Sequence, residues 1–464
     1  RYMRKRKLRT PQSLGEPKQL HVSRLSPEGR GISHQNGEVI FVDGALPGED
    51  VIATYARKNR HFDEFRVIEV LSASPERVEP PCLYASRCGG CSLQHVEVGA
   101  QLDFKELALG EHLEQAIGAK LTNLELLPQL KGGSFHYRRK ARLAVRVVEK
   151  KGGALVGFRE KYGTFITDME SCQVMVKEVA DLILPLRTLI TMLQGNKLIP
   201  QIEVAVGEYR DKDNSVEDVR VLNKVALVFR HLKPLCQADI QALCDFSQEY
   251  SIDLYLQPRS VESVYKRYPE KTVERLQYFL PDFDLTLNFH PMDFTQVNAE
   301  INQQIVKQAV RLLNLEKEDR VLDLFCGLGN FTLAIARYCR EVVGVEGNHD
   351  MVKRGEENSL LNKISNATFH QANLNKNIEN KSWLSTPFTK VLIDPPRSGA
   401  IEIITQIASL RAERIVYVSC NLTTLARDSA LLVGEGYRLK SYGVVDMFPH
   451  TAHVESIVQF ELMN

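Results

Sequence analysis

The chain has 464 residues, 44% hydrophobic and 25% charged, close to the average for soluble globular proteins. At roughly 100–200 residues per domain it predicts two to four domains with cores of their own, which excludes a small stapled scaffold, a fibrous chain and wholesale disorder. Lys and Arg number 59 against 58 Asp and Glu, a formal charge of only +1, so any sign of a polyanionic partner must lie in where the charge sits.

Residues 1–17 read as a basic arm: six basic residues and no acid fall between Arg1 and Arg9, which suits a nucleic-acid contact or a solvated tail. Residues 18–78 hold short β-rich runs cut by Gly and Pro, near 20–22, 37–42, 50–55 and 64–70. That spacing predicts a small closed barrel of the OB kind. A basic loop at 57–61 would meet phosphates if the barrel binds oligonucleotides. Residues 79–281 read as a central α+β region. It opens on a cysteine cluster, continues in a helix near 96–120 that can pack on the catalytic domain, and adds helical patterns at 174–193 and 238–250. A second basic segment with an aromatic neighbour lies at 137–142.

From 282 to 464 strands and helices alternate, and 321–326, 342–345, 391–393 and 415–418 are nearly continuous apolar runs of the kind buried parallel strands show. This predicts a doubly wound α/β domain. No apolar run approaches the roughly 18 residues of a membrane span. The nine cysteines are odd in number and partly clustered, and no signal-peptide pattern opens the chain. Together these favour a reducing, cytoplasmic setting.

Gly327 and Gly329 sit between the first apolar run and a helical stretch, where backbone can approach a ligand closely. The dinucleotide fingerprint is not completed, because Thr332 occupies its third glycine position. An acid before the glycines, Asp323, an acid after the second strand, Glu346, and a polar residue after the third, Asn373, are the layout of an S-adenosylmethionine site. A metabolic nucleotide binder is the alternative.

Asp394 ends the fourth run and Cys420 the fifth, so both should emerge on the sheet edge that carries the glycine loop. A cysteine beside a methyl donor has a specific use. Carbon 5 of uracil is a poor nucleophile, and thiolate addition at carbon 6 makes it electron-rich; a base must later remove the carbon-5 proton so that the thiol can leave. Glu455 is the candidate base, with His450 and His453 as competitors. Phe294, two residues from Gln296, could stack on a flipped base or belong to the core.

Cys420 with Asn421, Asp394 with Pro395, Pro396 and Arg397, Gln296 with Val297 and Asn298, the segment 323–327 and Glu455 with its neighbours together resemble the bacterial RNA uracil-5-methyltransferases. The resemblance spans nearly the whole chain and is nearest to members that act on one uridine of 23S ribosomal RNA. It implies a multidomain α/β protein: an N-terminal OB-like TRAM β-barrel, a central α+β domain with an iron–sulfur cluster, and a C-terminal Rossmann-like methyltransferase domain. It makes Cys420 the nucleophile and Glu455 the base, and it assigns Gln296, Phe325, Asn330, Glu346, Asn373 and Asp394 to S-adenosylmethionine, with Asp394 alternatively on the target base. It implies a cytoplasmic, monomeric enzyme away from membranes, and it implies no protein partner. Another 23S uridine or the T-loop uridine of transfer RNA is the nearest alternative, although transfer RNA members generally lack the barrel and the cysteine cluster. A non-catalytic RNA-binding iron–sulfur protein is the alternative from another class.

Cys82, Cys88 and Cys91, with Cys172 downstream, offer four thiolates suited to zinc or to an iron–sulfur cluster. The resemblance implies a [4Fe-4S] cluster on these four. Cys236, Cys244, Cys326 and Cys339 read as packing residues.

Overall fold

The computed structural model describes residues 16–58, 62–211, 220–270, 272, 274–376, 378 and 381–463, with Lys58 described by its backbone alone. Residues 1–15 of the basic arm at 1–17 and residues 59–61 of the basic loop at 57–61 lie outside the described residues. Two compact units form: Arg1–Phe104 with Glu160–Thr164 and His450–Ala452, and Lys105–Arg159 with Phe165–Pro449 and His453–Asn464.

In the first unit the strands are β1 (Lys18–His21), β2 (Arg24–Leu25), β3 (Gly31–Gln35), β4 (Glu38–Asp43), β5 (Asp50–Lys58) and β6 (Asp63–Ser72). Their order is β1-β5-β6-β4-β3-β2. Because β1 and β2 are successive pieces of one stretch, pairing β1 with β5 and β2 with β3 closes the sheet into a barrel. All pairs are antiparallel except β4 with β6. Alternate residues point inward, and Leu20, Val22, Ile40, Val42, Val51 and Phe65 fill the interior. The fully buried Glu49 accepts N–H bonds from Leu46 (2.8 Å) and Ser74 (3.1 Å) and holds the Arg77 guanidinium at 2.5 and 2.7 Å. This pins the outgoing chain to the barrel.

Helix α1 (Val98–Ile117) follows, and its Lys105 ammonium bonds the Asp446 carboxylate at 2.9 Å within the second unit. That unit contains β7 (Glu125–Leu126), β8 (Lys140–Val148), β9 (Gly153–Gly157), α2 (Lys177–Ala180), α3 (Ile183–Met192), β10 (Gln201–Asp211), β11 (Arg220–Arg230), α4 (Gln237–Glu249), β12 (Asp253–Gln257) and β13 (Tyr265–Tyr268). One six-stranded sheet runs β13-β12-β11-β10-β8-β9, and a hairpin of β14 (Leu276–Leu280) and β15 (Leu285–Phe289) comes next.

The remaining elements are α5 (Ala299–Leu313), β16 (Arg320–Leu324), α6 (Thr332–Ala336), β17 (Glu341–Glu346), α7 (His349–Leu361), β18 (Ala367–Gln371), β19 (Lys390–Ile393), α8 (Ile404–Ser409), β20 (Arg414–Ser419), α9 (Leu422–Gly434), β21 (Tyr437–Val445) and β22 (Glu455–Leu462). They build a sheet ordered β18-β17-β16-β19-β20-β22-β21-β7. The five strands from β18 to β20 are parallel, and the four apolar runs predicted four of them, all but β18. The order reverses between β16 and β19, so a crevice opens at their carboxyl ends, the usual ligand position in such sheets. β22 enters between β20 and β21 antiparallel to both. One core continues from Ala226, Val228 and Tyr255 through Phe289 and Ile305 to Val321, Val416 and Ile457, so residues 281 and 282, where the sequence suggested a boundary, sit within a single packed unit.

Candidate active site

Register brings two of the candidate groups together. Ser419, the last residue of β20, pairs with Ser456 of β22. In an antiparallel pair the next residue of one strand meets the previous residue of the other, which sets Cys420 beside Glu455. Leu324, Ile393 and Tyr417 align across the parallel strands, so the segments beginning at Phe325 and Asp394 leave the sheet on the same edge. The antiparallel course of β22 is what puts the start of that strand among the ends of the others.

The glycine turn is held open by backbone. Phe325 adopts a left-handed φ of 62° without being glycine, a strained conformation of the kind that gathers at functional sites. Gly327 (φ 55°) has only Met351 Cε, at 3.6 Å, near the place a Cβ would take, so the face of the turn is clear for a ligand. Glu346 accepts N–H bonds from Gly327 (3.2 Å) and Asn348 (2.8 Å), fixing both carboxylate oxygens and leaving lone pairs for a pair of hydroxyls.

Asp323 is fully buried. Its Oδ2 accepts from the Thr332 hydroxyl at 2.6 Å, while Oδ1 is buried with no hydrogen-bond partner. Burial, opposed by the Thr332 bond and reinforced by Asp394 and Glu346, pushes its carboxyl up to about 8. An orphaned buried carboxylate oxygen beside an open glycine turn fits a cationic ligand such as a sulfonium or ammonium group, and the donor set therefore fits S-adenosylmethionine. The sequence counted Asp323 in the layout of the site as the acid ahead of the glycines but assigned it no contact with the cofactor.

The other residues expected at the cofactor differ in setting. The Asn330 amide is engaged with the protein: it exchanges two bonds with Asn302 (2.9 and 3.0 Å) and accepts from the Tyr278 hydroxyl at 2.9 Å. Gln296 lines a cavity of about 20 Å³ with Arg139, Tyr278 and Asn302. Asn373 is exposed beyond β18, where its Oδ1 accepts from the Asn375 N–H at 3.0 Å. Phe294 is 70% exposed, which removes core packing as its role.

Around the thiol the electrostatics are acidic. Burial and then the Asp394 charge push Glu455 up to about 8, against a smaller lowering by Arg397. Burial pushes Asp394 up to about 7. Burial, Glu455 and Asp394 push the Cys420 thiol up to about 11, again opposed by Arg397. Cys420 directly precedes Asn421, the N-cap of the 13-residue α9, whose side chain accepts from Thr423 N (3.0 Å) and Thr424 N (3.3 Å). His453 is exposed, with its Nδ1 at 3.5 Å from an Arg397 nitrogen. His450, the other competing base, belongs to the first unit, where Gln101 bonds both its ring Nδ1 (3.1 Å) and its backbone N–H (2.8 Å).

None of the nine cysteines is in a disulfide. In the first unit the Gly90 N–H points at Cys88 Sγ (3.4 Å), the N–H groups of Tyr84 and Ala85 bond the Cys82 sulfur, and the charge of Cys88 acts on Cys82. Such donors favour a thiolate, but burial outweighs them and pushes the Cys82 thiol up. Cys172 belongs to the second unit. Among the described residues no group of three or more His, Cys, Asp or Glu is placed to hold a metal ion.

Residues 220–462 match the family described as tRNA (Uracil-5-)-methyltransferase. A protein of Hahella chejuensis named 23S rRNA (uracil(1939)-C(5))-methyltransferase RlmD is 46% identical over 464 residues, covering 99% of this chain and 100% of its own. Proteins of the same name from Alcanivorax borkumensis and Legionella pneumophila are 44% identical over 461 residues (99% of each chain) and 46% identical over 442 residues (95% of this chain, 96% of the other). The solved structure of Pyrococcus abyssi tRNA (uracil-54, C5)-methyltransferase with S-adenosyl-L-homocysteine has the same fold, with a TM-score of 0.68 at 23% identity over 96% of this chain and 100% of that one.

Proposed function

The chain belongs to the uracil-5-methyltransferase family of RNA-modifying enzymes, and we propose that it methylates carbon 5 of one uridine of 23S ribosomal RNA, the position that its relatives' names number 1939. The observation that carries the mechanism is the β20–β22 register, which joins a thiol and a carboxyl at the crevice where the glycine turn opens. Bound S-adenosylmethionine supplies the methyl group as an electrophile on a sulfonium centre. Asp323 and Glu346 would hold it, with Phe325, Gln296, Asn330 and Asn373 at the edges of its pocket.

Cys420, as thiolate, adds to carbon 6 of the uracil, and the electron pair released makes carbon 5 nucleophilic toward the methyl group. Glu455 then takes the proton from carbon 5, the carbon 5–carbon 6 double bond re-forms and the Cys420 sulfur leaves as thiolate. A carboxyl raised to about 8 suits this work, because a base is more effective when its own proton affinity lies near the working pH. Asp394 faces both groups and either bonds the base edge or contacts the cofactor. Phe294, bare on the surface beside Gln296, stacks on the flipped base.

The closed barrel acts as a TRAM-type RNA-binding module, and together with the basic segment at 137–142 it grips folded RNA. Cys82, Cys88, Cys91 and Cys172 hold a [4Fe-4S] cluster with a structural role; the four-thiolate donor set and the N–H bonds at Cys82 and Cys88 support this reading. The enzyme works in the cytoplasm as a monomer, and no helix among the described residues is long and apolar enough to cross a membrane.

The T-loop uridine of transfer RNA is the second reading. The P. abyssi transfer RNA enzyme shares the fold over 96% of the chain, so the N-terminal half does not separate the two substrates as its sequence suggested. Near-full-length identity to the 23S-named relatives favours ribosomal RNA.

The test is reaction of the wild type, Cys420→Ala and Glu455→Gln with a 23S fragment and, separately, with transfer RNA. Cys420→Ala should form no 5-methyluridine. Glu455→Gln should transfer the methyl group, stall before elimination and accumulate a covalent protein–RNA adduct. Wild-type product from Cys420→Ala would defeat the mechanism, and product on transfer RNA alone would defeat the substrate.

A further inference from the structure

The nucleophile stands in surroundings that oppose its own ionisation. Burial comes first, then Glu455 at the start of β22 and Asp394 at the end of β19, and together they keep the proton on sulfur. Addition to carbon 6 needs the thiolate. The N-terminus of α9 favours it, and among the side chains acting on Cys420 the opposing positive charge is Arg397.

Arg397 is exposed, as a surface cation on a loose loop would be, but its loop is not loose. Along one face of α9, at the three- and four-residue spacing of a helix, successive side chains hold the loop that leaves β19. The Asn421 amide donates to the Arg397 carbonyl at 3.0 Å and the Thr424 hydroxyl to the same oxygen at 3.3 Å. One turn on, the Arg427 guanidinium donates to the Ser398 carbonyl at 3.1 Å. The fully buried Asp428 then accepts from the Ala400 N–H and from the Tyr417 hydroxyl, each at 2.7 Å. Gly399 (φ 77°) admits no side chain there, since a Cβ would fall 2.6 Å from Arg427 and 2.8 Å from Asp428. The helix that begins beside the nucleophile therefore grips residues 397–400 by both carbonyls and an amide, which fixes the loop relative to the thiol.

We propose that Arg397 is the positive partner that favours the Cys420 thiolate against its acidic neighbours, and that Asn421, Thr424, Arg427 and Asp428 form the frame that positions it. This rests on Cys420 being the nucleophile. The proton leaves to solvent, and no bond to carbon is involved at this stage. Other titratable or charged groups around this loop are Glu455, on which Arg397 acts, His453, whose Nδ1 lies 3.5 Å from the guanidinium, and Arg427 on the Ser398 carbonyl. An RNA phosphate is the competing use of an exposed arginine.

The experiment is alkylation of Cys420 by iodoacetamide in the full-length protein without RNA, followed by mass spectrometry of the peptide that contains it. Wild type, Arg397→Met and Arg397→Lys are compared between about pH 7 and 10, where thiols titrate. At pH 8 Arg397→Met should react about tenfold more slowly, the change expected when a thiol pKa rises by about one unit. Arg397→Lys should recover most of the rate, and all three should bind S-adenosylmethionine equally. In turnover, Arg397→Met should lose kcat with little change in KM for RNA. Alkylation at the wild-type rate with a raised, salt-sensitive KM would make Arg397 an RNA contact and overturn the proposal. Cys420→Ala separates the two levels: its retaining activity would sink the nucleophile assignment, whereas an inactive Cys420→Ala beside normal alkylation of Arg397→Met would sink this proposal alone.

Discussion

Replacing Glu455 by Gln should make the protein more stable at alkaline pH while abolishing turnover. Glu455 is 4% exposed, and burial together with Asp394 raises its carboxyl from 4.5 to about 8. Between those values the folded chain holds a proton that the unfolded chain has released, so stability falls as pH rises through the interval. Below pH 4.5 both states are protonated and the penalty is absent; above about 8 it is fully present. At about 1.4 kcal/mol per pH unit the interval sets an upper bound of about 5 kcal/mol. Asp394, pushed up to about 7, keeps its own proton only over the lower part of the interval and is ionised at pH 8. Relaxation around a buried charge brings the expected gain for Glu455→Gln at pH 8 below the bound, to about 2 kcal/mol. Thermal unfolding followed by circular dichroism, without cofactor, should show nearly equal midpoints at pH 5 and a midpoint a few degrees higher for the variant at pH 8. A variant that melts below the wild type at pH 8, or by the same difference at both pH values, would refute the idea that the fold holds this carboxyl against its charge.

Gly355→Ala in α7 should reverse the usual benefit of alanine in a helix. That benefit is about 1 kcal/mol, but the added Cβ would stand 2.5 Å from the buried Phe369 ring. Overpacking of about 1–3 kcal/mol should win, and a midpoint equal to or above the wild type would show that the ring moves aside freely. Protein purified without oxygen should contain about four iron and four sulfide per chain, as expected for the cluster type, and Cys82→Ser or Cys172→Ser should lose most of both. Stoichiometric zinc, or full iron in either variant, would contradict the proposed ligand set.

How much of the site could be read from the chain depended on whether the signal was local. The apolar runs at 342–345, 391–393 and 415–418 fall within β17, β19 and β20, and the run at 321–326 begins in β16 and continues two residues past its end, because a strand buried on both faces has to be largely apolar. The glycine turn, Glu346 and Cys420 were legible for the same reason, being punctuation at the ends of those strands. Phe294 shows the limit: sequence left it divided between core and surface, and only the folded chain exposes it. Asn330 was read as a cofactor residue from its place in the turn, yet its amide pairs with Asn302, 28 residues earlier on α5. Nothing local announces such a partner.

The sequence by itself determined the strand–turn–helix units and the kind of chemistry their ends can support, since periodicity, turn residues and side-chain type are properties of short stretches. The tertiary structure decided which ends meet. β22 could have lain in either direction or at an edge; its antiparallel place beside β20 sets Glu455 next to Cys420, and the grip of α9 on residues 397–400 sets Arg397 near both. The large rises in the pKa of Glu455, Asp394 and Asp323 have the same origin. Burial alone raises Asp394, while Glu455 and Asp323 are raised by burial and then by neighbouring carboxyls brought by other strands, and the removal of water by the assembled core cannot be read from any stretch alone.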